Sequence, residues 1–370
     1  MFKHLKLAAL TLLFSMGFAA CSDDDNDYYY NDRPDNKPSY SNNEAYVLNQ
    51  GNFYGGIGGS IDLLQFNEDG SKSAVVSNYF TTVNKQELGD GPQEGLRYGT
   101  RIYITVQGSN VLWVLDAKTF EIQHQIKMNQ PTALCATEGY VFATNYDGNV
   151  TRIDTLHLSD PVKTLAVGPN PDGIAAYNEK VYVTISDGMN FENSYANGKK
   201  IVELNAENFS KTKEYETGLN PGQIVTNSVG EAFVVCRGNY ADIAPMVQKL
   251  TKYGEVIDYE QGSLIAVDQN MLYIVDSQVD WTSKDPKAKV TIKRINMDDD
   301  VMEENFIAQE NLPANPTHID VHPVNRTIFI CSDQSPTGAA MSGWVYQYNY
   351  GGQLIKRFDV GIHPYGLIFK

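Results

Sequence analysis

Six histidines and four cysteines are the side chains best able to hold a metal, take a proton or attack a carbonyl, so their placement bounds the available chemistry. His4 sits in the N-terminal leader, and His124 and His157 fall in or beside outer strands of the repeat described below, where an imidazole is solvated or packed. His318 and His363 differ, because each stands in a turn leading to an apolar strand, "NPTHID" and "GIHPYG". There an imidazole can act as ligand or base, or can simply satisfy its turn. Cys135, Cys236 and Cys331 each lie inside an apolar run, roughly a hundred residues from the next. An odd count without CxxC argues against a disulfide framework or a zinc site and for buried thiols. HExxH, GxSxG and GxxxxGK[ST] are absent, and "NMDDD" and "NYDGN" share only composition with calcium loops. No metal ligand and no catalytic residue is expected.

The chain opens "MFKHLKLAALTLLFSMGFAAC", in which Lys3 and Lys6 precede an apolar run shorter than the ~20 residues of a membrane span. It reads as an export signal over residues 1–20, and Ala19 and Ala20 before Cys21 fit a lipoprotein signal whose cysteine is acylated. The following "CSDDDND" resembles the surface-export signal of Bacteroidota lipoproteins. Residues 21–43 have almost no aliphatic side chains and are expected to form a flexible acidic tether, spanning roughly 25 Å on average. Loss of Lys3 and Lys6 leaves 27 basic residues (29 minus 2) against 45 acidic, a balance of −18. That argues against nucleic acid or an anionic membrane surface as partner.

From Glu44 onward, short Val/Ile/Tyr-rich runs alternate with Gly, Asn, Asp and Pro, without helical periodicity. One signature recurs seven times, an apolar residue followed by a turn former: Phe66-Asn67, Leu115-Asp116, Ile153-Asp154, Leu204-Asn205, Leu250-Thr251, Ile295-Asn296 and Tyr348-Asn349. The spacings of 49, 38, 51, 46, 45 and 53 residues match the length of a four-stranded propeller blade. The last residues, "GIHPYGLIFK", repeat the start of a blade, while "AYVLNQG", "SIDLLQF" and "AVVSNYF" read as strands two to four of a blade lacking its first. The expectation is an all-β, seven-bladed β-propeller over residues 44–370, closed by the C-terminal strand joining the N-terminal blade.

In such a ring, loops joining second to third strands share a face with the blade-to-blade connections. The glycine-rich "QGNFYGGIGGS" is one of these loops, not the strand-to-helix turn of a dinucleotide site. The corresponding loops carry rings and amides. The expected ligand-binding residues are Asn52, Phe53, Tyr54, Tyr146, Asn190, Phe191, Arg237, Asn239, Tyr240, Trp281 and Gln334, with His363 near the axis. Elaborating one face this way suits a large, flat, polar ligand.

"NPDGIAAYNEKVYVTISDG", "VLWVLDAKTFEIQHQI" and "NPTHIDVHPVNRTIFI" resemble the blades of YncE-like propellers. With the opening "NQGNFYGGIGGSIDLL" and the lipoprotein signal, the chain resembles a Bacteroidota surface-lipoprotein branch that includes the BtuG-type proteins. The resemblance implies an outer-membrane, cell-surface protein that captures cobalamin as a transported ligand, not a cofactor. It further implies delivery to a TonB-dependent transporter of the BtuB type, with no catalysis. Capture of a glycan or other nutrient is the alternative. A lactonase or lyase is a third, and would draw on Glu94, Asp172, His318 or His363 at the channel.

Overall fold

The computed structural model describes residues 38 to 338 and 340 to 370; the export signal, Cys21 and most of the tether lie outside them. Seven four-stranded antiparallel sheets form a ring. Blade 1 takes its innermost strand, Pro364–Phe369, from the C-terminus and its other three from Glu44–Asn49, Ser60–Gln65 and Ala74–Val76. The register Ala45↔Phe369, Tyr46↔Ile368 and Val47↔Leu367 closes the ring as the split repeat requires.

Every blade buries both faces, which is why its middle strands read as nearly continuous apolar runs. Neighbouring side chains alternate between two cores. In Glu44–Asn49, Tyr46 and Leu48 pack with Ile102, Ile104 and Trp113 of blade 2, whereas Ala45 and Val47 pack with Phe329, Cys331 and Val345 of blade 7. Seven such clusters fill the seven gaps between blades. Each described cysteine belongs to one of them; Cys135, Cys236 and Cys331 are buried free thiols whose pKa burial pushes up.

The seven turn formers act as their side chains allow. Asn67, Asp116, Asp154, Asn205, Thr251, Asn296 and Asn349 each end a third strand and accept a backbone N–H two to five residues later, fixing the turn to the outer strand.

These turns lie on one face of the ring, and the chain enters there. Ser41 bonds through its N–H to the Lys370 carbonyl and through its own carbonyl to His322 Nε2 (2.9 Å), while the Asn42 carbonyl accepts from Asn325 (3.0 Å). The loops from second to third strands occupy the opposite face. They are tied there to the blade-to-blade connections by Gly59 N–H to Gly89 O (2.9 Å), Tyr146 N–H to Gln130 O (3.0 Å) and Arg237 N–H to Asn220 O (3.0 Å).

Candidate functional site

Six inner strands carry a proline at their start, as first residue in Pro92, Pro131, Pro171, Pro221 and Pro364 and as second residue in Pro316. In each, pairing with the second strand shifts by one residue just after the proline. The blade 6 strand, Leu264–Asp268, has no proline there and pairs without a shift. Proline donates no ladder hydrogen bond, so the strand can carry an extra residue at that point, and the bulge re-aims the side chains that follow. Both residues after the proline can therefore face the axis, where a regular strand would send only one.

A bulge frees an amide, and threonines of the second strands satisfy it. Thr105 Oγ1 accepts from Glu94 N–H (3.1 Å) and donates to Thr132 O of the next blade (2.5 Å). Thr144 accepts from Ala133 N–H (3.0 Å) and donates to Asp172 O (2.6 Å), and Thr184 accepts from Gly173 N–H (2.8 Å) and donates to Gly222 O (2.9 Å). Elsewhere side chains make the crossing themselves: Gln223 pairs with both backbone groups of Ile265 (2.8 and 3.0 Å), and Asp320 accepts from Leu367 N–H (2.9 Å).

The inner strands enclose a central cavity of about 360 Å³, lined among others by Gln93, Glu94, Asp172, Gln223, Arg237, His318, Asp320 and Tyr365 over a floor of Ile and Val. Arg237 reaches it from just past the second strand of blade 5, Ala232–Cys236, and pairs with Asp172 of blade 4. Gly222 makes this possible, since a Cβ there would stand 2.3 Å from the guanidinium carbon. Burial works against the Arg237 charge, but the Asp172 carboxylate outweighs it and raises the pKa. Burial raises the Glu94 carboxyl to about 7, an effect partly offset by Leu134 N–H (3.1 Å) and the His318 charge. His318 stands 3.4 Å from Asp320; burial lowers its pKa, and the Asp320 and Glu94 carboxylates more than reverse this. The Tyr146 hydroxyl is raised first by the Asp172 charge and then by burial.

Around the cavity's loop side stands a rim of apolar side chains. Of sixteen exposed large hydrophobic residues among the described ones, nine lie in five loops of this face. They are Phe53, Tyr54 and Ile57 of blade 1, Met189 and Phe191 of blade 4, Tyr240 and Ile243 of blade 5, Trp281 of blade 6 and Met341 of blade 7. Nine of sixteen on one face is a strong bias, because the outer strands and the opposite face share the rest. Blades 2 and 3 have only short turns there, at 107–110 and 146–148, so the rim has a low side.

The rim is braced from within. Asn52 caps the short 3₁₀ turn Phe53–Gly55 that carries Tyr54, a side chain 99% exposed. Gly51, at φ +76°, and Gly59 allow the loop to fold back, since a Cβ would stand 2.4 Å from the Ile57 carbonyl oxygen and 2.2 Å from Pro92 respectively. Asn190 pairs with Asp187 (2.9 Å), and Asn239 accepts from Ala241 and Ile243 N–H (3.0 and 2.9 Å). Tyr240 meets buried Tyr195 of the neighbouring loop edge to face, ring centres 6.1 Å apart. Trp281 crowns a hairpin whose strands, Met271–Val279 and Ala288–Asn296, are nine residues each.

The residues picked from sequence thus divide into four sets. Phe53, Tyr54, Phe191, Tyr240 and Trp281 form the exposed rim; Arg237 turns down to the cavity, and Tyr146 is half-buried near the Asp172 charge without lining the cavity. Asn52, Asn190, Asn239 and Gln334, the last donating to Ser342 O (2.7 Å), hold their own loops. His363 pairs with Asp333 (2.8 Å) and stacks on Tyr365, ring centres 5.8 Å apart. Gln93, Gln223, Asp320 and Tyr365 were missed. The signal for most of them is the pair of residues following each inner-strand proline.

No protein-family model and no curated protein sequence matches the chain. Solved structures do. A quinonprotein alcohol dehydrogenase-like protein from Bacteroides thetaiotaomicron superposes with a TM-score of 0.59 at 14% identity, covering 90% of this chain and 79% of that one. Kuenenia stuttgartiensis hydrazine synthase superposes with a TM-score of 0.51 at 14% identity, covering 71% of this chain and 92% of that one. At this identity the likeness is one of fold, and the fold common to the observations is a seven-bladed β-propeller.

Proposed function

We propose that this chain captures cobalamin at the cell surface, holding it on the loop face of the propeller, and passes it to a TonB-dependent outer-membrane transporter. The observation that carries this reading is the five-loop apolar rim standing over a polar channel mouth. A corrin ring fringed with amides offers a broad face for Phe53, Phe191, Tyr240 and Trp281, and peripheral groups for polar partners at the mouth. Lipidation at Cys21 keeps propeller and transporter at high effective concentration.

A test is direct. Purified protein mixed with cyanocobalamin is passed through a desalting column and the corrin absorbance read in the protein fraction. One equivalent of colour is expected, reduced at least tenfold in Trp281→Ala/Tyr240→Ala with the fold retained by circular dichroism. A colourless protein peak would reject cobalamin and leave a glycan or other nutrient as the ligand of the rim.

A second reading, catalysis, has one observation in its favour: Glu94, Asp172 and His318 converge on the cavity. Each is already engaged, Glu94 by Leu134 N–H, Asp172 by Arg237 and His318 by Asp320, which favours capture.

A further inference from the structure

The cavity beneath the rim has its own chemistry. Its charges are arranged in opposed pairs, Arg237 with Asp172 and His318 with Asp320. Each pair spends only part of its hydrogen-bonding capacity. Arg237 uses Nη1 on Asp172 Oδ2, leaving Nε and Nη2; Asp172 keeps Oδ1; Glu94 uses Oε2 on Leu134 N–H and keeps Oε1. The Tyr365 hydroxyl has no protein partner among the described residues, and none of these atoms is sealed from solvent. The space therefore presents unspent donors and unspent acceptors together.

That pattern selects the occupant. A lone anion would meet Glu94, Asp172 and Asp320, and a lone cation would meet Arg237. Among the described residues no three His, Cys, Asp or Glu side chains converge as a metal cage. A hydroxyl group, donor and acceptor at once, satisfies both kinds of neighbour. The volume of about 360 Å³ lies at the small end of ligand pockets, which begin near ~300 Å³. Tyr365, held between His363 and His318 with ring centres 5.8 and 5.9 Å away, offers a fixed ring, and Ile174, Ile224 and Ile265 an apolar floor for C–H groups.

We propose that the central cavity, beneath the rim, is a binding site for one uncharged, polyhydroxylated ring of monosaccharide size. Saturation-transfer NMR on the purified protein tests this with methyl glucoside, methyl mannoside and methyl galactoside, against glucuronate and choline as charged probes. At least one neutral glycoside is expected to bind, and Tyr365→Phe and Asp172→Asn should each weaken it about tenfold, the effect of losing one buried hydrogen bond. No transfer to any glycoside, preference for a charged probe, or unchanged affinity in both variants would overturn the assignment. Tyr365→Phe removes one oxygen and nothing else, so folding is not at stake. Cyanocobalamin retention by the same variant reads the rim separately, so the failure of either site is visible without the other.

Discussion

The rim and the channel sit next to each other and are built on opposite principles. Rim residues are carried by loops that brace themselves, as Asn239 does for its own turn, and their rings stand in solvent. Channel residues are bound into the joints between blades: Thr144 satisfies an amide of its own blade and a carbonyl of the next, and Gln223 and Asp320 cross from one blade to another. Rim side chains can change without touching ring closure; channel side chains cannot.

This contrast can be broken by measurement. The largest effect is expected from Thr144→Val, which keeps the shape but strands Ala133 N–H, removes the Thr132 hydroxyl's closest partner and leaves Asp172 O only a long contact to that hydroxyl (3.4 Å); chemical denaturation should show a loss of about 2 to 4 kcal/mol. Gly222→Ala should follow at about 1 to 3 kcal/mol, because the new methyl displaces the Arg237 guanidinium from Asp172.

A third effect depends on pH. The folded Glu94 carboxyl titrates near 7 against 4.5 for the ordinary side chain. Between those values the folded state keeps a proton that the unfolded state has released. Stability therefore falls as pH rises through this window, by at most about 3 kcal/mol. Glu94→Gln should flatten that part of the wild-type profile in unfolding curves taken from pH 4.5 to 7; an unaltered slope would remove Glu94 as its source.

The smallest expected change is in Trp281→Ala, within about 0.5 kcal/mol of wild type, although ligand retention falls. A rim substitution that destabilises as much as Thr144→Val would erase the distinction.

Much of the fold was legible because it repeats. The apolar-plus-turn signature marked seven third strands, and the unmatched "YGLIFK" identified the closing strand. The rim rings were legible too, since their loops are longer than a hairpin needs. The channel was harder to read because strand periodicity sends alternate residues to alternate faces. Glu94, for instance, lies next to Gln93 and both line the cavity, which only the bulge after Pro92 allows. Nor does sequence show that Gly222 is empty so that Arg237 can cross from another strand. The loop asparagines have the composition of ligand donors and the geometry of turn braces, and composition alone does not separate the two.

The chain joins the ring at Ser41 and Asn42, on the face away from the rim, where Ser41 meets Lys370 and His322 and Asn42 meets Asn325. The two ends of the described chain are thus fastened together on one side of the disc, while the nine rim side chains stand on the other. A load applied through those ends would be borne by the strand pairing that closes blade 1 and would leave the rim loops undisturbed.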